Sequence, residues 1–226
     1  MSAVRQFNNP DDANINAGGK LRIALAGNPN CGKTTVFNGY TGARQHVGNY
    51  PGVTVDRKEG HIAVGDNQVT LVDLPGTYSL TAYSMEELVA RRELAAGNVQ
   101  AVIDVVDASA LERNMLLTVQ MLEMGAPVVL CCNMMDEARA AGIHIDMERL
   151  SSLMGIPVLP MVARTGEGLT EAMSVAVQLA KEGKRNALRI SYGSDIDPVL
   201  LDMDKRIEHE GLLASKYMPH WVALKM

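Results

Sequence analysis

A surplus of positive charge is the first thing this sequence lacks. Its 26 acidic residues outnumber 21 lysines and arginines, leaving a net charge of −5, and aromatics make up only 4%. That balance argues against a main surface that grips nucleic acid or anionic lipid, which is usually basic. Cysteine is scarce too. Cys31, Cys131 and Cys132 are an odd number with two adjacent, which excludes a disulfide framework and fits a reducing, cytoplasmic compartment. Neighbouring side chains on a strand point to opposite faces, so Cys131 and Cys132 read as core residues rather than metal ligands. The histidines at 46, 61, 144, 209 and 220 are scattered, with no pair at useful metal-ligand spacing. No apolar run approaches the roughly 20 residues that cross a bilayer, and the start Met1-Ser2-Ala3-Val4-Arg5-Gln6 lacks a signal-peptide core. The chain is expected to be soluble as given, yet able to be the cytoplasmic piece of something larger.

The 226 residues, 47% of them hydrophobic, suffice for one large domain and a small appendage. Residues 1–20 are polar and rich in breakers and read as a loose tail. From Leu21 to about Lys184, apolar strands at 21–27, 69–73, 99–106, 126–132 and 156–160 alternate with amphipathic segments. A hairpin from His61-Ile62-Ala63-Val64 through Gly65-Asp66-Asn67 into Gln68-Val69-Thr70-Leu71-Val72 adds a sixth, antiparallel strand at an edge. The fold class expected is α/β: a mixed, mostly parallel six-stranded sheet with helices on both faces. Residues 42–55, with weak periodicity, are expected to be a long functional loop.

The densest signal is Gly27-Asn28-Pro29-Asn30-Cys31-Gly32-Lys33-Thr34-Thr35, which fits G-x-x-x-x-G-K-[ST] between a predicted strand and a predicted helix. Gly27 and Gly32 let the backbone curl so that successive N–H groups point inward. The following helix adds the positive end of its dipole, a site suited to polyphosphate. Lys33 is expected on the terminal phosphates, and the Thr34 hydroxyl on a magnesium ion. In the long loop, Gly52-Val53-Thr54 offers a hydroxyl for magnesium and a backbone N–H for the last phosphate. Asp73-Leu74-Pro75-Gly76 matches D-x-x-G at the carboxyl end of a strand, where ligands collect in such sheets. Asp73 is placed for the magnesium shell, Gly76 for the last phosphate. Asn133-Met134-Met135-Asp136 matches N-x-x-D. The Asp136 carboxylate can accept both N–H groups on the edge of guanine, whereas adenine offers no such pair.

This ordered set resembles the GTPases of the Ras-like P-loop fold. Within them, Gly27-Asn28-Pro29-Asn30, Gly48-Asn49-Tyr50-Pro51-Gly52-Val53-Thr54-Val55 and Arg57-Lys58-Glu59-Gly60 resemble the amino-terminal G domain of the bacterial ferrous iron transporter family, FeoB. Ile190-Ser191-Tyr192-Gly193, the acidic stretch to Glu210 and the end Trp221-Val222-Ala223-Leu224-Lys225-Met226 are similar to the start of that family's helical, guanine-dissociation-inhibitor-like domain. The resemblance covers all but residues 1–20 and implies a G domain at 21–184 and a truncated helical domain at 185–226. Two departures stand out. Where such GTPases usually carry Ser-Ala-Lys, this chain has Val162-Ala163-Arg164. Ala163 retains a backbone N–H for the guanine oxygen, but the changed neighbours count against tight binding. After Gly76, where a water-orienting Gln is common, stands Thr77.

The resemblance implies a magnesium-dependent GTPase converting GTP to GDP and phosphate, on the cytoplasmic face of the bacterial inner membrane. It would act on a membrane permease domain of the same polypeptide. Lys33, Asn30, Thr54 and Gly76 are the implied catalytic set, with Asn30 in the place of a potassium ligand that stands in for an arginine finger. No nucleic-acid partner is expected, and the oligomeric state stays open. The alternatives are a potassium-stimulated GTPase of tRNA modification or ribosome assembly, which fits the acidic balance poorly, and a slow GTP-dependent interaction module.

Overall fold

The computed structural model describes residues 20–42, 45–183, 190–210 and 218–226. The expected tail over residues 1–19 and the expected domain boundary after Lys184 lie outside them. Lys20, assigned to the tail from sequence, already opens the first strand.

One seven-stranded sheet organises the chain: β1 (Lys20–Gly27), β2 (His46–Asn49), β3 (Asp56–Val64), β4 (Asn67–Asp73), β5 (Ala101–Asp107), β6 (Val128–Asn133) and β7 (Val158–Pro160), in spatial order β2-β3-β4-β1-β5-β6-β7. β1 pairs in parallel with β4 and β5, and the parallel run continues through β6 to β7. The hairpin forms as expected, with β3 antiparallel to β4. The expected six strands become seven because β2 adds antiparallel to β3, which is therefore second from the edge and not the edge itself. All four residues of β2 are exposed. A strand with no buried face carries no apolar alternation to read, so this stretch looked like part of the long loop.

In the middle of the sheet both faces are covered. Ile23 and Leu25 of β1 pack with Val36, Phe37 and Tyr40 of α1 (Lys33–Thr41) and with Met173 and Ala176 of α6 (Leu169–Glu182). The Tyr40 hydroxyl donates to the Leu169 carbonyl at 2.8 Å, locking those two helices together. On the other face, Ala24 and Ala26 meet α2 (Met85–Ala95), α3 (Leu111–Glu123) and α4 (Met135–Ala140), with α5 (Met147–Met154) at the flank. Near-continuous apolar strands such as Val128-Val129-Leu130-Cys131-Cys132 follow from burial on both sides. Burial also pushes the Cys31 thiol up to about 11 and the Cys132 thiol to about 12, so they behave as small apolar groups.

Two further helices, α7 (Asp197–Glu210) and α8 (Pro219–Ala223), follow α6 and pack on each other, with His220 Nδ1 3.1 Å from Asp204 Oδ2. This segment touches the end of α3: the Tyr192 hydroxyl donates to the Glu123 carboxylate, and the Met218 side chain lies where a Cβ on Gly125 would go. Gln120, three residues before Glu123, accepts the Leu80 N–H at 2.5 Å and so holds the loop after β4 against the same helix. No helix among the described residues is long and apolar enough to cross a membrane.

Asp104 departs from the apolar pattern. It sits in the middle of β5, fully buried, with one carboxylate oxygen accepting from the Thr118 hydroxyl of α3 at 2.6 Å and the other without a partner among the described residues. Burial outweighs that hydrogen bond and pushes the carboxyl up to about 7. A folded-state carboxyl above its unfolded value binds more protons when folded, so its contribution to stability is largest in acid, falls as pH rises through about 7, and levels off above that. Asp104→Asn should therefore gain on the parent protein as pH rises from about 4 to 8, by an amount of the order of a few kcal/mol. Urea unfolding of both proteins across that range measures the gap, and a gap that stays constant would unlink Asp104 from the pH dependence.

Candidate functional site

Parallel register brings the carboxyl ends of the strands to one edge: Leu25 lies beside Asp73, Gly27 beside Val105, Asp107 beside Asn133 and Cys132 beside Pro160. The loops after β1, β4, β6 and β7 therefore meet there, and they contain most of the residues singled out from sequence.

The first of these loops is a tight cradle. Gly27, Asn30 and Gly32 take positive φ of 153°, 67° and 87°. A Cβ on Gly27 would lie 2.4 Å from the Val105 carbonyl oxygen, and one on Gly32 would lie 2.2 Å from Asn133 Nδ2, so at both places glycine is required by contact as well as by backbone angle. Cys31 is buried, Pro29 half-buried, and Asn30 exposed at the crown of the turn. Asn28 is 1% exposed, and neither polar atom of its amide has a partner among the described residues. Buried polar atoms without partners are uncommon in native proteins; here they lie in the loop expected to hold phosphate. Gly32 also caps α1, whose first residues are Lys33, Thr34 and Thr35, the two threonines exposed.

Lys33 reaches across to β4, where its ammonium pairs with the Asp73 carboxylate, both side chains about nine-tenths buried. The Leu74 N–H donates to the Leu25 carbonyl at 2.9 Å, holding the strand end that presents Asp73. A Cβ placed on Gly76 would touch the Pro29 backbone at 3.5 Å, so this backbone runs alongside the cradle. Thr77 is 4% exposed. Its side chain is turned into the protein, and no water-orienting group stands where a Gln is common.

Asn133 is the centre of the arrangement. Its Nδ2 donates to the Cys31 carbonyl at 2.9 Å, and its Oδ1 accepts the Ala163 N–H at 2.9 Å. One buried amide thus ties the loop after β6 to the cradle and to the loop after β7. The Ala163 N–H, expected to be available to a guanine oxygen, is held by this amide. Val162 and Ala163 are buried. Met134, with φ of 61°, is the N-cap of α4, and Asp136 is the second residue of that helix rather than its cap. The Asp136 carboxylate meets Arg164, Nη2 to Oδ2 at 2.8 Å.

Thr54 stands apart from this cluster. It is exposed on a turn closed by its own bonds, Tyr50 N–H to the Val55 carbonyl at 2.9 Å and Val53 N–H to the Tyr50 carbonyl at 3.2 Å, with Gly52 at positive φ. Tyr50 anchors the turn, 4% exposed, with the Arg57 guanidinium 5.7 Å from its ring centre.

Glu87 is one residue the sequence reading passed over. Its carboxylate accepts from the Ser79 and Thr81 hydroxyls and from the Tyr83 N–H, while its own N–H donates to the N-cap Ser84. Burial alone would raise this carboxyl, but the hydrogen bonds outweigh it and hold the group below its ordinary value. The pattern Ser84-Met85-Glu86-Glu87, an S-x-x-E capping box before a helix, was a signal for it.

The family model described as Ferrous iron transport protein B matches residues 21–176. The Fe(2+) transporter FeoB of Escherichia coli K12 is 45% identical over 210 residues, 91% of this chain and 26% of that protein. A Porphyromonas gingivalis fusion of Fe(2+) transport protein A with FeoB is 44% identical over 210 residues, 91% of this chain and 25% of its own length. The chain thus spans about a quarter of the curated relatives it matches. Among solved structures, the cytosolic domain of the T. maritima FeoB iron transporter superposes in its GDP form I with a TM-score of 0.86 at 36% identity, covering 93% of this chain and 81% of that one. The same domain in its GMPPNP form gives 0.85 at 37% identity, covering 91% and 80%. The cradle, the D-x-x-G strand end and the N-x-x-D loop sit on a Ras-like sheet shared with those domains, and the chain belongs to the FeoB family of ferrous iron transport proteins.

Proposed function

We propose that this chain binds GTP, hydrolyses it to GDP and phosphate, and through nucleotide state regulates ferrous iron uptake by an adjoining membrane domain of the same polypeptide, at the cytoplasmic face of the membrane. The observation that carries the nucleotide reading is the Asn133 amide, which fixes the phosphate cradle and the base-side loops at a set separation. The regulatory part rests on the relatives, which are named as Fe(2+) transporters and are about three and a half times as long as this chain. GDP and GMPPNP forms of the T. maritima domain support a guanine nucleotide as ligand. An RNA-directed GTPase finds no support in these relatives.

In this reading the Lys33 ammonium turns from Asp73 to the terminal phosphates, and the curled backbone from Gly27 to Gly32 donates N–H groups to the phosphate oxygens. Asp136 accepts from the guanine edge. Thr54 and Gly76 engage the third phosphate and so distinguish GTP from GDP. The donor set is consistent with the expected ions: Thr34, Thr54 and Asp73 offer hard oxygens suited to magnesium, and Asn30 holds an exposed amide at the crown of the cradle. With the backbone carbonyls of Gly48 to Gly52, Asn30 would hold potassium. Bound there, the two ions supply positive charge against the phosphate oxygens as the bond to the leaving group breaks. The chain's own part is positioning, since Thr77 is buried and offers the attacking water no side chain.

Steady-state phosphate release tests the reading. Lys33→Ala is expected to lower kcat/KM for GTP by roughly a hundredfold or more, and undiminished turnover would remove the phosphate-cradle assignment. Thr54→Ala should spare GDP affinity while reducing hydrolysis about tenfold, because its turn is bonded to itself and engages only with the third phosphate. An equal loss of GDP affinity would make Thr54 structural. At constant ionic strength, the parent should turn over faster in potassium than in sodium, and Asn30→Ala should lose that preference. A preference that survives the substitution would place the ligand elsewhere.

A further inference from the structure

The ion pair between Asp136 and Arg164 has a chemistry of its own. Arg164 Nη2 lies 2.8 Å from Asp136 Oδ2, and the arginine side chain is 79% exposed against 35% for the aspartate. A guanidinium is a flat group with N–H donors along its edge that bind a carboxylate. The pyrimidine edge of guanine offers the same kind of donors, a ring N–H and an amino group, in one plane. The two groups ask the same thing of Asp136.

Both partners are held in place by backbone. The Ala163 N–H is fixed on Asn133 Oδ1, and the next residue is Arg164. Beyond it the Val162 carbonyl accepts the N–H groups of Thr165 at 3.0 Å and Gly166 at 3.1 Å, closing a tight turn with Arg164 near its tip. The Met135 N–H donates to the Met161 carbonyl at 3.3 Å, tying the start of α4, and with it Asp136, to the same loop. With both backbones held, the more exposed arginine side chain is the one placed to swing away.

We propose that Arg164 is an internal competitor of the guanine base: its guanidinium occupies the Asp136 carboxylate, must swing away before the base can be read, and so lowers the affinity for guanine nucleotides. This rests on the reading of Asp136 as the base-reading residue. Apparent affinity falls in proportion to the fraction of molecules whose carboxylate is free. An exposed ion pair is weak, so the effect is a tuning of about two- to fivefold, not a block. A side chain that instead lay over the base, as a lysine stem would, has the opposite sign, which makes the direction of the effect decisive.

The test is equilibrium binding of GDP to the full chain, measured with a fluorescent GDP analogue and back-titration by unlabelled GDP. Arg164→Ala is expected to tighten GDP about two- to fivefold, and Arg164→Lys, which keeps the charge but not the planar fork, to fall between. Both substitutions are at an exposed side chain, and their melting temperatures should match the parent's. Unchanged or weaker binding in Arg164→Ala overturns the proposal. The gain must also need the carboxylate: in an Asp136→Asn background, measured with xanthosine diphosphate, adding Arg164→Ala should change nothing. Tightening there as well would show that Arg164 acts through something other than Asp136, and would overturn the proposal. If Asp136→Asn leaves GDP affinity intact, it is the base-reading assignment beneath the proposal that fails, a result distinguishable from the others.

Discussion

A single buried amide holds this site together. Asn133 donates to a carbonyl of the phosphate cradle and accepts from the backbone of the loop after β7, and each of those hydrogen bonds lies away from solvent, where an unmet partner costs more than a met one gains. The consequences spread from there. Gly32 must be glycine because the Asn133 amide nitrogen stands where its Cβ would be. Arg164 is delivered to Asp136 because the residue before it is held. Removing the amide would leave the Cys31 carbonyl and the Ala163 N–H unpaired together, so three loops would loosen at once.

The charges of the site are arranged on that frame as two ion pairs of different character. Lys33 with Asp73 is largely buried, whereas Arg164 with Asp136 faces solvent. The buried pair resists separation, since parting it exposes a poorly solvated charge unless another partner arrives. The exposed pair parts readily and is weakened by salt. In the proposed reading, phosphate would satisfy the Lys33 ammonium directly, while the base would first displace a competing cation. On that reading the two ends of a nucleotide would meet unlike resistance from the same protein.

Much of this was legible in the sequence, for physical reasons. The central strands are apolar on both faces and the motifs follow strand ends, so sheet, helices and cradle could be placed from the chain alone. What escaped lacked a local signature. β2 has no buried face. The bracing role of Asn133 depends on main-chain groups 102 and 30 residues away in sequence, and no spacing rule encodes such partners. Asp104 sits inside an apolar run, where pattern reading sees a strand and passes over the carboxyl. Glu87 had a local signature in its capping box and could have been read. Arg164 reads from sequence as a substitution in a motif, and its partner Asp136 comes beside it only through the folding of α4 against the loop after β7.

Gln120 and Glu123 are three residues apart on α3, hence neighbours on one side of the helix. The first grips the Leu80 N–H in the stretch that follows Gly76; the second takes the Tyr192 hydroxyl from the segment leading to α7. The stretch nearest the expected third phosphate and the approach to the helical appendage are thus riveted to a single helical turn, about 5 Å apart along its axis. The two contacts are joined through two side chains on one turn of α3, with no strand of the sheet between them.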